Sequence, residues 1–187
     1  LVGATPARIR MPHRNKNGQY DNWAKTSLPW MSIGYETQIP PISTLTFYNT
    51  IANNGKMMRP RFVSKVMKNG ETIMEFPPEV MRQQIAKEKS IKELQTILEQ
   101  VVSVGLGKKA GSPNFKVAGK TGTAQISKGA GGYKSGGTSY LISFAGYFPA
   151  DAPRYSCIVC IQKSGLPASG GTMCGKVFHQ ISEGIMA

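Results

Sequence analysis

Apolar positions follow two different rhythms along the chain, and the second half is the more regular. Ile91, Leu94, Ile97, Leu98, Val101 and Val102 recur at spacings of three and four, which predicts one face of a helix. Ser90-x-x-Glu93 reads as a capping box at its start, and Gly105 as its stop. Strand-like runs follow at residues 115–124, 140–148 and 155–163. The last two are joined by the turn Pro149-Ala150-Asp151-Ala152-Pro153. From Thr172 a helical rhythm returns, with Val177, Phe178, Ile181 and Ile185 on one side. The pattern predicts a helix, a three-strand meander and a closing helix. A Gly- and Ser-rich stretch at residues 127–139 separates the first two strands and reads as a surface loop, with Tyr133 and Lys134 near its tip.

The first half is less periodic. Residues 1–42 are rich in Pro, Gly and Asn and predict irregular structure, with Trp23 and Trp30 as packing anchors. A helix is expected over residues 45–52, capped by Ser43 or Thr44 and closed by Gly55. Runs at residues 62–68 and 71–76 flank Asn69-Gly70, a dipeptide that tolerates positive φ and so predicts a tight hairpin. No internal repeat and no clear domain boundary are visible.

Composition narrows the picture modestly. The 187 residues carry 23 Lys and Arg against 10 Asp and Glu, a net charge of +13, which favours an anionic partner. The basic residues are scattered without a run of five, so a nucleic-acid arm is not indicated. Three cysteines do not make a disulfide framework. Cys157 and Cys160 stand in a strand-like run that would point them to opposite faces, which argues for buried thiols over a metal site. His13 and His179 read as surface or helix-face residues. No apolar stretch approaches the ~20 residues that span a bilayer, and the opening Leu1-Val2-Gly3-Ala4 carries no start signal, so the chain is expected to be a piece of a longer protein.

The chemistry concentrates in Lys120-Thr121-Gly122-Thr123-Ala124. Gly119-Lys120-Thr121 matches the end of a phosphate loop, but that pattern needs Gly where Asn114 stands and a helix beginning at the Lys, for which Gly122 is a poor start. The alternative is the edge strand of a serine acyl-transferase pocket, where Lys-Thr-Gly accompanies Ser-x-x-Lys and Ser-x-Asn elements. There a Lys offers positive charge to a substrate carboxylate, Thr hydroxyls bind it, and a Gly lets the substrate backbone lie close. A backbone N–H past the Gly can face a developing oxyanion.

The surroundings of the motif extend the match. Val117-Ala118-Gly119-Lys120-Thr121-Gly122-Thr123-Ala124-Gln125 resembles the third motif of class B penicillin-binding proteins. Gly34-Tyr35-Glu36-x-Gln38 with Pro40-Pro41, then Phe47-Tyr48-Asn49-x-Ile51-Ala52-Asn53-x-Gly55 with Arg59-Pro60, and Phe144-Ala145-Gly146-Tyr147-Phe148-Pro149 are similar to other segments of that family, in order. The nearest likeness is to division transpeptidases of the FtsI type. The resemblance implies an α/β (α+β) fold with an antiparallel sheet flanked by helices, of the penicillin-binding transpeptidase and serine β-lactamase kind. It also implies peptidoglycan cross-linking through a serine acyl-enzyme, with stem peptides and β-lactams as ligands, divisome membrane proteins as partners and no cofactor or metal. It implies a place on the outer face of the cytoplasmic membrane, below an anchoring helix. Lys120 would serve the proton network and the carboxylate, Thr121 and Thr123 would bind the carboxylate beside Gly122, and the N–H of Thr123 would form half of the oxyanion hole.

One departure is large. No Ser in this chain has a Lys three residues later, so the nucleophile is expected before Leu1 and the fold is expected to be truncated on its N-terminal side. Ser112-Pro113-Asn114 fits Ser-x-Asn by letter but lies too near Lys120 to fill that place. Without the nucleophile, a sensing or scaffolding relative of the same fold stays open, as does a basic module for anionic polymers.

Overall fold

Strand propensity and alternation at residues 118–164 produce a three-stranded antiparallel meander in this computed structural model, which describes residues 6–126 and 137–187. Tyr133 and Lys134 lie outside the described residues. The chain divides into two units, residues 1–44 and 45–187.

The first unit has more order than its composition suggests. Numbering strands and helices in chain order, β1 (Arg8–Ile9) pairs with β2 (Thr37–Gln38), and α1 (Ser27–Ser32) lies between them in sequence. Positive φ at Gly34 and Glu36 (93° and 56°) turns the chain into β2. Trp30 packs edge-on against Tyr35 with ring centroids 4.8 Å apart but is itself exposed, and Trp23 is half-buried, so neither is the buried anchor expected.

The expected helix over 45–52 begins earlier, as α2 (Pro41–Ala52). Pro41 opens it because Pro has φ preset for a first turn and no N–H to leave unpaired. Ser43 and Thr44 therefore lie inside the first turn, their N–H groups donating to Pro40 O, and are not caps. Gly55, at φ 93°, ends the run as read. In the second unit β3 (Met57–Met58) pairs with β6 (Val80–Arg82), a contact for which the sequence pattern gives no sign. Between them β4 (Lys65–Lys68) and β5 (Glu71–Glu75) form the expected hairpin, with Asn69 and Gly70 at φ 51° and 86°.

Helix α3 (Glu88–Ser103) starts two residues before the expected cap. Glu88 ion-pairs Lys92 at 2.7 Å, and Glu93 pairs Lys89 at 3.9 Å rather than reaching back to Ser90. Ile91, Leu98 and Val102 of the expected stripe are buried, whereas Leu94 and Ile97 are exposed. After a 3-10 turn at Lys108–Ala110 come β7 (Ala118–Ile126), β8 (Ser139–Phe148) and β9 (Tyr155–Ser164), in that spatial order. The chain then makes a π-helical turn, Gly170–Cys174, and enters α4 (Gly175–Met186).

Paired residues in an antiparallel ladder share a face, so the register fixes two faces of the meander. Thr121, Thr123, Ile142 and Phe144 lie on one. That face is covered by α4 and the π-turn, with the Phe144 and Phe178 rings 4.7 Å apart. Of the stripe assigned to α4, only Phe178 is buried; Gly175 and Ser182 share its core face, and Val177, Ile181 and Ile185 are open. The other face carries Ala118, Lys120, Gly122 and Ala124 with Tyr147, Ala145, Ser143 and Leu141. Its Ala118–Tyr147 end is packed by Ile51 and Leu98, whereas Leu141 at the other end is 44% exposed.

Tyr147 is fully buried with a hydroxyl that has no hydrogen-bond partner among the described residues. Burial, helped by the Glu99 carboxylate, pushes its phenol up to about 12. An unsatisfied buried hydroxyl costs about 1–3 kcal/mol. Tyr147→Phe is therefore expected to stabilise the protein by about 1 kcal/mol, read as a higher denaturant midpoint at unchanged slope.

Candidate active-site strand

The Lys-Thr-Gly motif lies on β7, in extended backbone paired along its length with β8. That excludes the phosphate-loop reading, because a strand does not converge its N–H groups on one anion. Among the described residues no strand pairs with the outer side of β7.

Local sequence explains how the strand can sit here. Gly119 faces Gly146 across the ladder, and the Phe144 ring lies over the pair. A Cβ on Gly119 would come within 2.6 Å of Phe144 Cζ. Gly122 faces Ser143, and a Cβ there would strike the Ser143 hydroxyl. From the core face, Gly170 rests on the backbone of the same pair, where a Cβ would fall on the carbonyl oxygens of Gly122 and Ser143. The sequence pattern alone assigns no role to Gly170 and Gly171. Their signal is a Gly pair at the start of a helical pattern, where neither residue favours a helix.

Lys120 is exposed, and its Nζ donates to Thr121 O at 2.9 Å and Thr121 Oγ1 at 3.3 Å. The structure thus brings Lys120 and Thr121 together at the open edge. Alternation then puts the N–H of Thr123 on the same edge as Thr121 O, since residues two apart in a strand point their polar groups the same way. The Thr123 hydroxyl accepts from the N–H of Gly170 at 3.3 Å. A hydroxyl has one proton and two lone pairs, so this bond leaves its proton to donate. Gly122 leaves the strand bare between the two threonines.

Other candidates fall away from this edge. His13 is on the surface, 3.0 Å from Asp21. Cys157 is half-buried against the core and Cys160 is exposed, on opposite faces of β9, and burial raises both thiols. Cys174 is buried in the π-turn. Ser112 and Asn114 sit in the turn before β7 rather than on the Lys120 face. Asn114 Nδ2 donates to Glu183 Oε2 at 3.1 Å, and the polar neighbours Ser112 and Asn114 hold this carboxyl below the usual range against the opposing effect of burial. His179 lies on α4 with Nδ1 4.0 Å from Glu183 Oε1. A cavity of 960 Å³ is lined by this turn, the end of α3 and the β8–β9 connection, away from Lys120.

Comparison with known proteins places these features. Residues 5–183 match the family described as penicillin binding protein transpeptidase domain. Penicillin-binding protein PbpB of Mycolicibacterium smegmatis is 29% identical over 177 residues, covering 89% of this chain and 27% of that protein. Peptidoglycan D,D-transpeptidase FtsI of Escherichia coli is 27% identical over 170 residues, covering 90% of this chain and 26% of its own length. The chain therefore spans about a quarter of the length of these relatives. Among solved structures, apo penicillin-binding protein 3 from Mycobacterium tuberculosis superposes with a TM-score of 0.71 at 28% identity, over 89% of this chain and 39% of that one. Matched by the family model over residues 5–183, the chain belongs to the penicillin-binding protein transpeptidase domain family.

Proposed function

We propose that the protein carrying this chain is a serine D,D-transpeptidase that cross-links peptidoglycan stem peptides and is acylated by β-lactams, and that residues 1–187 are the C-terminal portion of its transpeptidase domain. The observation that carries this reading is the open edge of β7, where Lys120 Nζ and the Thr121 hydroxyl meet beside a bare Gly122. An extended peptide can lie along that edge as an added strand. Lys120 then leaves Thr121 O to the incoming backbone and turns its ammonium to the terminal carboxylate and to proton transfer. The hydroxyls of Thr121 and Thr123 donate to the carboxylate. The N–H of Thr123 faces the oxygen that becomes negative when the carbonyl is attacked, a donor worth roughly 2.7–4 kcal/mol.

The nucleophile is a Ser of a Ser-x-x-Lys element outside these residues, and it reaches the carbonyl from the Lys120 face. Its Oγ bonds to the carbonyl carbon of the penultimate D-Ala. The C–N bond to the last D-Ala breaks, that residue leaves with a proton, and an amino group from a neighbouring stem takes the acyl group. Divisome membrane proteins are the partners this role requires, with the domain on the outer face of the cytoplasmic membrane below an anchoring helix. No helix among the described residues is long and apolar enough to be that anchor. The net charge of +13 suits an anionic wall and membrane surface.

Fluorescent penicillin tests the proposal. The full-length protein is expected to take a covalent label that survives denaturing electrophoresis, and the isolated 187 residues are expected to take none. An unlabelled full-length protein, or a mass gain of one penicillin on the isolated chain, would sink it.

A further inference from the structure

We infer that Glu183 is a positioning residue for the strand that carries Lys120: from α4 it clamps the 112–115 turn out of which β7 emerges. The inference rests on the function proposed above and names a further residue of the same site. Glu183 Oε2 accepts from Asn114 Nδ2 at 3.1 Å. Ser112 Oγ accepts the backbone N–H groups of Asn114 at 2.9 Å and Phe115 at 3.4 Å. One carboxylate on α4 thus holds the Asn114 side chain, and Asn114 is itself tied to Ser112 through its backbone N–H.

The next residues carry that position forward. The Phe115 ring lies 5.8 Å from that of Phe148. Lys116 pairs with Glu99 at 3.1 Å, and its carbonyl accepts from Ala150 N at 2.8 Å. β7 begins at Ala118, and Lys120 is four residues beyond Lys116. A paired strand is stiff along its axis, so a shift of the turn moves Lys120 and the N–H of Thr123 with it. Misplacement of reacting groups by about 1 Å can cost about 10²-fold in rate.

The turn needs a clamp because tight packing does not hold it. Ser112, Pro113 and Asn114 line the 960 Å³ cavity on one side. On the other side Glu183 reaches across 69 residues of sequence to meet Asn114.

The test compares the full-length protein with Glu183→Ala and Glu183→Gln. Acylation by fluorescent penicillin is separated into the binding constant and the first-order acylation step. Glu183→Ala is expected to slow the acylation step about tenfold, with binding changed less than about twofold. Glu183→Gln keeps an oxygen for Asn114 and is expected to recover most of the rate. Hydrogen exchange of residues 116–126 should rise in the Ala variant and stay near wild type in the Gln variant. Wild-type acylation and exchange in Glu183→Ala would overturn the clamp. So would a rate loss that follows the unfolding midpoint and is not recovered by Gln. A wild type that takes no label overturns the proposed function, and the exchange measurement then decides the clamp by itself.

Discussion

Lys120→Ala in the full-length protein is expected to lower the rate of penicillin acylation by about 10³-fold while leaving its unfolding midpoint unchanged. Two losses combine. The ammonium that meets the carboxylate disappears, and a hydrogen bond to a charged group contributes about 1.5–3 kcal/mol. Proton handling at the site disappears too, and a positioned acid or base contributes about 10²–10⁴-fold. The two are not fully additive because one side chain serves both, which keeps the expectation near the middle of that range. Stability is spared because Lys120 is exposed and, among the described residues, bonds only to its neighbour Thr121. Lys120→Arg is expected to keep carboxylate binding and recover little of the acylation step, since a guanidinium does not give up its proton. Labelling that ignores Lys120 would remove β7 from the reaction.

The parts of this chain that read correctly from sequence are those whose signal is local. Asn69-Gly70 needs only its own two φ angles to specify a hairpin. Strands β8 and β9 are ten residues each, long enough to establish themselves with a turn between them. The Lys-Thr-Gly motif reads as an edge strand because Gly122 and the Gly-rich sequence beyond it are poor helix formers. The parts that were missed depend on partners far away. β3 and β6 are two and three residues long, too short to show any period, and exist only because they meet each other. The stripe on α4 misled because Val177, Ile181 and Ile185 fit a helical face, but the face that meets the sheet is Gly175, Phe178 and Ser182. Small residues mark that face because the backbone comes close: a Cβ on Gly175 would stand 3.3 Å from Ala110 N. Periodicity counts apolar residues and does not see closeness.

The candidate site divides along the same line. That Lys120, Thr121 and Gly122 lie in one extended strand was legible from the motif, and the proposed carboxylate-binding rim asks for a cation, hydroxyls and a bare backbone of that kind. Its supports were not legible. The partner of the Thr123 hydroxyl is the N–H of Gly170, 47 residues on, and the turn that launches β7 is tied to Glu183. Neither link leaves a mark in its own neighbourhood. Ser112-Pro113-Asn114 shows the hazard: by letter it suggested a catalytic element, and it is a hydrogen-bonded turn.

Gly170→Ala is expected to be among the most damaging single methyls at the described glycines, at about 3 kcal/mol or more of lost stability. A Cβ there would fall on the carbonyl oxygens of Gly122 and Ser143, and would stand 3.1 Å from Gly122 N. These are backbone atoms in the middle of the meander and cannot rotate away as a side chain can. The π-turn would have to lift off the sheet, breaking the Gly170 N–H bond to Thr123 Oγ1. For a protein of this size that loss lowers the unfolding midpoint by about 6–12 °C. Gly184→Ala supplies the opposite case. It lies in exposed helix, where an added Cβ meets nothing within 4 Å, and replacing a helical Gly by Ala gains about 0.5–1 kcal/mol. The same change of one methyl, 14 residues apart, should therefore move the midpoint in opposite directions. If Gly170→Ala unfolds within about 2 °C of wild type, the π-turn does not rest on the Gly122–Ser143 pair. The support assigned to Thr123 would then fail with it.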